Sequence, residues 1–376
     1  MTEKIDRFIN QASRPTPFLV VDLDVVAERY ESLRRQLPAA EVFYAVKANP
    51  APEVISLLIE LGASFDVASP AEIELTLRLG ADPATLSYGN TIKKQADIAA
   101  AFQRGVELFA FDSAEELAKL ARAAPGSKVF CRLLVDNQGA EWPLSRKFGC
   151  ERRMARDLLL QARDLGLLPY GVAFHVGSQQ MDPGQWDGAV AQAAALFRDL
   201  EGRGVELAMV NVGGGFPARY ADPIAGIDTY AQGVQGAMTR HFGNRLPCTV
   251  VEPGRYIVGD AGVLQAEVVL ISRKSYDDQV RWIYLDVGRF NGLAETEGEA
   301  IRSPLRTPHD GGAAGPVILA GPTCDSVDTL YENAGYRMPM ALAIGDRVQI
   351  LATGAYTTTY STVGFNGFDP LPAYYI

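Results

Sequence analysis

The sequence has few of the residues that bind metals or form disulfides, with only three histidines and four cysteines among 376 residues. No two cysteines form a C-x-x-C pair, and the histidines complete no zinc-binding spacing. This pattern excludes a zinc module and a disulfide framework, and it favours free thiols in a reducing compartment. We therefore predict no metal site.

Long apolar runs and excess positive charge are also lacking. No run reaches membrane-spanning length, and Met1-Thr2-Glu3-Lys4 lacks the apolar core of a signal peptide. The net charge of -10 argues against a nucleic-acid-binding surface and mildly favours cationic partners. We expect a cytoplasmic protein with no membrane and no nucleic-acid partner.

What is present is an ordinary globular composition, 48% hydrophobic and 21% charged, long enough for two domains. Strand-like runs alternate with helix-like segments such as 52–61, 70–79 and 114–123. This alternation predicts a closed (β/α)8 barrel of the TIM type, with an open doubly wound sheet as the alternative. The eight predicted strands are 42–47, 64–69, 86–90, 108–113, 128–135, 171–178, 209–215 and 249–255.

The rhythm changes after residue 255, where strand-like runs continue with few helices between them. This change predicts a second, β-rich domain. Its predicted strands are 263–272, 281–287, 317–320 and 347–353. Segments 137–150 and 303–315 are interpreted as loops.

Ionisable residues collect at the predicted strand ends, where a barrel forms its active site. Lys47 ends the first barrel strand, before a turn at Asn49-Pro50. Burial lowers the pKa of a lysine, and a neutral amine can form a Schiff base, although a plain surface lysine fits this stretch equally well. The residues at the strand ends are Lys47, Asp66, Asn90, Asp112, Arg132, His175, Gly213, Gly214, Gly215, Glu252 and Arg255.

A glycine triplet and an arginine follow the last two barrel strands and suggest a phosphate site. Gly213-Gly214-Gly215 would let backbone N–H groups approach a phosphate, although a glycine run alone is more often a turn. Arg255 suits a phosphate dianion. Glu252 is either an ion-pair partner of an arginine or the partner of a protonated ring nitrogen. His175 is either a structural histidine or a ring that stacks on a flat cofactor.

The second domain carries Gly321-Pro322-Thr323-Cys324-Asp325. A free cysteine is by default a small buried hydrophobe, but between turn residues Cys324 is expected to be exposed and reactive. Aromatic residues further along, including Tyr356 and Phe365, are explained equally well as core residues.

Six motifs in a fixed order resemble the fold-type III pyridoxal phosphate decarboxylases, the alanine-racemase-like barrel group. The resemblance is strongest to ornithine and lysine/ornithine decarboxylases. The motifs are Tyr44-Ala45-Val46-Lys47-Ala48-Asn49, His175-Val176-Gly177-Ser178, Gly213-Gly214-Gly215, Glu252-Pro253-Gly254-Arg255, Gly321-Pro322-Thr323-Cys324-Asp325 and Gly354-Ala355-Tyr356.

This resemblance implies the domain plan, the cofactor and the residue roles. A pyridoxal 5'-phosphate-binding barrel would span 26–256, and 1–25 with 257–376 would form the β-rich domain, completed by an N-terminal strand at 18–22. The implied cofactor-binding residues are Lys47 as Schiff-base lysine, Glu252 at the ring nitrogen, His175 on the ring, Asp66 and Arg132 near Lys47 and Glu252, and Ser178, Gly213, Gly214, Gly215, Gly254, Arg255 and Tyr356 for the phosphate. Catalysis would rest on Lys47, His175 and Cys324, and substrate binding on Asp325, Tyr356 and Phe365.

The resemblance also implies the reaction and the assembly. Decarboxylation of L-ornithine to putrescine in polyamine biosynthesis is expected, with L-lysine to cadaverine also open. Cys324 and Asp325 would reach the site from the partner subunit, so a homodimer with shared active sites is implied. Val287 stands where eukaryotic ornithine decarboxylases carry an aspartate for the distal amine; Asp286 lies one residue earlier, and Glu295 is the candidate replacement acid. The alternatives are a diaminopimelate decarboxylase, a racemase and a non-catalytic regulator.

Overall fold

The computed structural model describes residues 1–11, 14–142 and 147–376, and these fall into two compact units. The barrel unit comprises Ala27–Pro217 and Ala225–Gly254. The β-rich unit comprises Met1–Val26, Ala218–Ile224 and Arg255–Ile376. The domain boundaries expected from the sequence differ from these units chiefly because they left 218–224 in the barrel.

Helices and strands alternate in the first two thirds of the described chain, and strands dominate the last third. The helices are α1 Glu3–Gln11, α2 Leu23–Gln36, α3 Pro52–Glu60, α4 Pro70–Arg78, α5 Gln95–Gln103, α6 Ala114–Ala123, α7 Arg152–Asp164, α8 Trp186–Glu201, α9 Ile227–Phe242 and α10 Arg255–Val258. The strands are β1 Phe18–Val21, β2 Ala40–Ala45, β3 Ser64–Val67, β4 Leu86–Tyr88, β5 Leu108–Phe111, β6 Lys128–Arg132, β7 Ala140–Trp142, β8 Leu168–Ala173, β9 Ser178–Gln180, β10 Met209–Asn211, β11 Cys248–Val251, β12 Gly262–Ser272, β13 Arg281–Leu285, β14 Leu305–Arg306, β15 Ala314–Ala320, β16 Thr329–Tyr331, β17 Arg337–Pro339, β18 Arg347–Leu351 and β19 Ala373–Tyr375.

Eight parallel strands close the barrel in the order β10-β11-β2-β3-β4-β5-β6-β8, which confirms the predicted fold class and excludes the open sheet. Six of these strands each contribute one side chain to a single buried cluster. Some of the helices between them begin at side-chain caps; Ser69 before α4, for example, accepts a hydrogen bond from the backbone N–H of Glu72 at 3.3 Å. The cluster residues are Phe43, Ala110, Phe130, Ala173, Met209 and Val250.

The barrel strands end two to five residues earlier than the sequence predicted. The sixth predicted strand, 171–178, is β8 and ends at Ala173, and the seventh, 209–215, is β10 and ends at Asn211. The polar residues at these ends therefore stand in the loops that follow the strands. Of the ionisable residues expected at strand ends, Asp66 and Arg132 are inside strands.

The β-rich unit contains a nine-stranded sheet with the main order β14-β18-β12-β13-β15-β16. Strand β1 pairs antiparallel with β12, so the expected addition of the N-terminal strand to this sheet is confirmed. Helix α1 covers β1, because Ile5 packs with Phe18, Val20 and Val263 in one buried cluster.

Two segments interpreted as loops contain strands. Within 303–315, Leu305 pairs with Ile350 at the edge of the sheet, and β15 already begins at Ala314. Within 137–150, β7 pairs with β9, while residues 143–146 lie outside the described residues. Strand β14, which contains Leu305, has two residues, and β7 has three. Both are too short to show a two-residue period in the sequence. In the described ranges, no helix is long and apolar enough to cross a membrane.

Candidate active site

Lys47 lies just after β2, in a short 3-10 turn from Val46 to Ala48. Its Nζ is 3.9 Å from Oδ2 of Asp66, and its side chain is 51% exposed. Of the two interpretations that the sequence leaves open for Lys47, the surface position is the one observed, because the strand ends two residues earlier and the turn directs the amine out of the core. Asp66 is buried, and burial raises its pKa while Lys47 and Arg132 oppose the rise.

A second lysine of the barrel unit, Lys93, is buried. Lys93 has a fully buried side chain, and its Nζ donates to the carbonyls of Asn90 and Ala110, each at 2.7 Å. Its Nζ is also 3.0 Å from Glu116, and burial lowers the pKa of Lys93 to about 8. Lys93 is part of the barrel framework, which favours Lys47 as the accessible amine.

Glu252 follows β11, and Asn211 holds its carboxylate. The side-chain amide of Asn211 donates to Oε1 of Glu252, and its Oδ1 accepts from the backbone N–H of Gly213 at 2.9 Å. Burial and the charge of Asp66 raise the pKa of Glu252 to about 7, while Asn211, Lys47 and Arg132 oppose the rise. Glu252 can therefore exchange a proton near neutral pH.

Arg132 ends β6 and faces the same group of acids. Burial lowers the pKa of Arg132, and the charges of Glu252, Asp66 and Asp112 act against this. The arginine keeps its charge at neutral pH and favours ionised carboxylates around it. Its guanidinium carbon also lies 5.1 Å from the ring centre of Phe148.

His175 stands in the loop after β8 as a neutral ring. Burial and the charges of Arg132 and Lys47 hold the pKa of His175 well below its ordinary value. Its Nδ1 accepts from the backbone N–H of Gly177 at 3.0 Å, so the ring proton is assigned to Nε2. A neutral imidazole that is held in one orientation can offer its flat face for stacking on a planar ring.

The glycine triplet is closely packed against the neighbouring loops. A Cβ at Gly213 would lie 2.3 Å from the carbonyl oxygen of Phe174, and one at Gly215 would lie 2.6 Å from that of Gly177. Both glycines have positive φ, of 72° and 97°. The carbonyl of Gly215 accepts from the backbone N–H of Gln180 at 2.9 Å, which ties the triplet to the strand that begins at Ser178.

Gly254 has a packing reason of its own. A Cβ there would lie 2.9 Å from the Cβ of Ala48 and 3.2 Å from that of Ala45. The absence of a side chain lets the end of the last barrel strand pack beside the turn that carries Lys47. Gly254 thus allows the close approach of two backbone segments.

In the β-rich unit, Arg255 is buried and forms a bidentate ion pair. Its Nη2 and Nη1 donate to Glu295 at 2.6 and 2.7 Å, and Nη1 also donates to the hydroxyl of Tyr220 at 2.8 Å. Its Cζ lies 4.9 Å from the ring centre of Tyr356, whose φ is +57°. Burial lowers the pKa of Arg255, but Tyr220 and Glu295 outweigh it and raise the pKa well above the ordinary value.

Cys324 is exposed on a loop that Asp328 holds in place. The buried carboxylate of Asp328 accepts from the backbone N–H of Arg289 at 2.7 Å and from the hydroxyl and backbone N–H of Thr323 at 2.8 and 3.1 Å. A Cβ at Gly321 would lie 2.3 Å from this carboxylate. Asp325 is also exposed, and its Oδ1 accepts from the backbone N–H of Val327 at 2.9 Å.

Phe365 and the acids near Val287 are also fixed within this unit. The ring of Phe365 lies 4.6 Å from that of Phe290, and the neighbouring Asn366 accepts from the backbone N–H of Cys324 at 3.1 Å. Val287 is fully buried, and the carboxylate of Asp286 accepts from the backbone of Glu267 at 2.8 Å. Asp286 is therefore a structural residue, and Glu295 is paired with Arg255.

Several of these residues were missed from the sequence. Asn211 lies two residues before Gly213, the first residue of the glycine triplet, and that position was its only signal. Asp328 and Tyr220 gave none, because Arg289 lies 39 residues from Asp328 and Arg255 lies 35 residues from Tyr220 along the chain.

The barrel residues fit the pyridoxal phosphate that the resemblance implies. They offer an accessible amine at Lys47, a carboxylate at Glu252 for a ring nitrogen, a neutral ring at His175 and a glycine backbone next to Ser178 for a phosphate. In the described part of the chain, no group of three or more histidines, cysteines or acids is arranged to hold a metal ion.

Comparison with known proteins identifies a family for this chain. The family model described as pyridoxal-dependent decarboxylase, pyridoxal binding domain, matches residues 23–259. A lysine/ornithine decarboxylase of Selenomonas ruminantium is 39% identical over 360 residues, which cover 95% of this chain and 89% of the relative. An antizyme inhibitor 2 of Xenopus laevis is 31% identical over 100% of this chain and 84% of the relative.

Solved structures are similar over almost the whole chain. A lysine/ornithine decarboxylase from Vibrio vulnificus complexed with cadaverine has a TM-score of 0.87 and 30% identity, covering 99% of this chain and 97% of that one. The arginine decarboxylase of Paramecium bursaria Chlorella virus bound to agmatine has a TM-score of 0.89 and 26% identity, covering 99% and 100%.

Proposed function

Because this chain belongs to the family of pyridoxal-dependent decarboxylases and is a pyridoxal phosphate-dependent amino-acid decarboxylase, we propose that it converts L-ornithine to putrescine. L-lysine, giving cadaverine, is its second proposed substrate. The observation that carries the choice of a diamino acid is the exposed carboxylate of Asp325, directly beside the exposed thiol of Cys324.

Pyridoxal phosphate, when bound, supplies the electron sink that lets the α-carboxylate leave as carbon dioxide. The amine of Lys47 attaches the cofactor covalently. Its accessible position and its neighbour Asp66 at 3.9 Å support this role. His175, neutral and oriented by Gly177, presents a flat ring surface.

Glu252 holds a proton at the ring nitrogen of the cofactor. Its raised pKa of about 7 keeps the carboxylate close to the point of proton exchange, and Arg132 favours its ionised form. Asn211 fixes the direction of the carboxylate. The backbone of Gly213, Gly214 and Gly215, with Ser178 and Arg255, is assigned to the phosphate, and Tyr356 is proposed to assist there.

Cys324 returns a proton to the α-carbon after carbon dioxide has left. Asp325 binds the distal ammonium of the substrate through a charge-assisted hydrogen bond. Phe365, 36% exposed beside Phe290, offers an apolar surface to the methylene chain. We further propose that Cys324 and Asp325 act in the site of the partner subunit of a homodimer.

Three other functions compete with this proposal. The likeness to an arginine decarboxylase makes L-arginine a candidate substrate, and the likeness to an antizyme inhibitor makes a non-catalytic regulator a candidate. Diaminopimelate ends in a zwitterion, and Asp325 would repel its distal carboxylate. The presence of Lys47, His175, Glu252 and Cys324 in the chain supports catalysis over pure binding.

The test is a product assay of the purified protein, loaded with pyridoxal phosphate, on ornithine, lysine, arginine and diaminopimelate in parallel. We expect putrescine first and cadaverine second. Asp325→Asn should raise KM for ornithine about 10- to 100-fold, the scale of one charge-assisted hydrogen bond. The exposed neighbour Ser326→Ala serves as control and should leave KM unchanged.

Each contrary outcome has a distinct meaning. A preference for arginine or diaminopimelate would overturn the substrate assignment and leave the decarboxylase assignment intact. No product from any of the four, with cofactor bound, would favour the regulator. An unchanged KM in Asp325→Asn would remove Asp325 from the substrate site.

A further inference from the structure

Arg255 is assigned to the cofactor phosphate, but its guanidinium already forms an ion pair with the carboxylate of Glu295. Both side chains are poorly exposed, 3% for Arg255 and 13% for Glu295. Both contacts are short, at 2.6 and 2.7 Å, and they use both terminal nitrogens of the guanidinium. The end of the arginine fork, the usual partner of a phosphate or carboxylate, is taken by a carboxylate of the same chain.

The count of donors shows how much of the arginine is engaged. A guanidinium has five N–H donors. Glu295 accepts two of them and the hydroxyl of Tyr220 accepts a third. A phosphate that takes the end of the fork must displace Glu295. A phosphate that takes the side of the fork must sit next to the negative charge of Glu295.

In both arrangements Glu295 opposes the phosphate. A carboxylate and a phosphate dianion repel each other, and in a partly buried setting this repulsion is weakly screened. A buried arginine without an anion is also costly, which explains why a carboxylate stands there at all. Glu295 therefore stabilises Arg255 before the cofactor binds and competes with the phosphate afterwards.

We infer that Glu295 is a positioning residue that lowers the affinity of this protein for the phosphate group of its cofactor by competing for Arg255. This inference rests on the proposed function, since it takes Arg255 as the phosphate-binding residue. It differs from a substrate-binding role for Glu295, because the carboxylate is engaged with Arg255. It also predicts a change in cofactor affinity that is specific to the phosphate.

The test compares two ligands that differ only in the phosphate. Protein freed of cofactor is titrated with pyridoxal 5'-phosphate and with pyridoxal, and binding is followed by visible absorbance. Glu295→Gln should lower Kd for pyridoxal phosphate about tenfold, the scale of one partly screened charge pair. Kd for pyridoxal should stay unchanged. Glu297→Gln, an exposed acid two residues away, is the matched control and should alter neither constant.

The same comparison separates a structural role from the inferred one. Loss of the fold would weaken both ligands equally, whereas competition for Arg255 alters the phosphate ligand alone. If Glu295→Gln does not yield folded protein, Glu295→Asp draws the carboxylate back by one methylene and should shift the ratio of the two constants in the same direction by a smaller factor.

An unchanged or raised Kd for pyridoxal phosphate in the folded variant would overturn the inference. That result would leave the proposed function standing, provided that the unaltered protein binds pyridoxal phosphate more tightly than pyridoxal. Failure of the unaltered protein to bind either ligand would instead overturn the proposed function. The two failures are thus distinguished within one set of titrations.

Discussion

Asn211 joins two parts of the barrel site through one side chain, because its amide nitrogen donates to Glu252 and its amide oxygen accepts from the backbone N–H of Gly213 at 2.9 Å. The carboxylate assigned to the ring nitrogen and the first glycine assigned to the phosphate are therefore held by the same residue. A change at Asn211 is expected to disturb both.

Asn211→Ala should lower kcat/KM about 10- to 100-fold, because it removes a donor from the carboxylate and an acceptor from the glycine loop. The variant should also bind pyridoxal phosphate more weakly in an absorbance titration. Asn244→Ala, at an exposed position, is the control and should have no effect. Unaltered kinetics in Asn211→Ala would show that Glu252 needs no such support.

Glu72 gives a prediction about stability and pH. Burial raises its pKa to about 7 from the ordinary 4.5, although Oε2 accepts from the backbone N–H of Ala68 at 2.6 Å. The folded state therefore holds this proton more tightly than the unfolded state. The contribution to stability is present below about pH 4.5 and is lost as pH rises through 7.

Glu72→Gln should therefore stabilise the protein at pH 8 by about 2 kcal/mol and change little at pH 5. The measurement is the thermal midpoint of the cofactor-free protein at the two pH values, with a gain of about 2 to 3 °C expected at pH 8. Glu60→Gln, at an exposed position, is the control. Equal shifts at both pH values would contradict a raised pKa at Glu72.

Asp328 is predicted to be essential for the geometry of the Cys324 loop. Asp328→Asn removes the charge that accepts hydrogen bonds from both Arg289 and Thr323, so the loop should lose its fixed conformation. We expect kcat to fall at least about tenfold, from the loss of one or more buried charge-assisted hydrogen bonds. The absorbance of bound cofactor should remain.

The control for Asp328 is Asp310→Asn, an exposed acid whose carboxylate accepts from Thr307. The rate of alkylation of Cys324 provides a readout of loop conformation that is independent of turnover. A variant Asp328→Asn with normal kcat and a normal alkylation rate would mean that the loop is held by other contacts.

The proposed shared site predicts recovery of activity in mixed dimers. Lys47→Ala chains and Cys324→Ala chains are each expected to be inactive alone. In a mixed dimer one site collects both faults and the other collects none. Random equal mixing makes half the dimers mixed, so about a quarter of the unaltered activity should return. With subunit exchange shown independently, no recovery would assign Cys324 to the site of its own chain.

Local sequence patterns were enough for the barrel, and they predicted the ends of its strands to within a few residues. Lys47, His175 and Glu252 stood out because each interrupts or ends an apolar run that must form a buried parallel strand. The strand limits were overestimated most where apolar residues follow the strand, as Leu133 does after β6, Phe174 after β8 and Val212 after β10, because such residues carry no stop signal.

What the sequence could not predict depends on contacts between distant residues. Glu295 lies 40 residues from Arg255, and Glu252 lies 41 residues from Asn211. Glu295 was considered as a replacement acid for substrate binding, and only its position opposite Arg255 shows that its carboxylate is engaged there. A charge in a sequence gives no indication of the opposite charge it will meet.

The most direct measurement of the central claim is borohydride reduction of the protein with bound pyridoxal phosphate, followed by peptide mapping. We expect the cofactor to be attached at Lys47, and we expect Lys47→Ala to show neither the label nor the visible absorption band. Attachment at the buried Lys93 or at its exposed neighbour Lys94 would contradict the account.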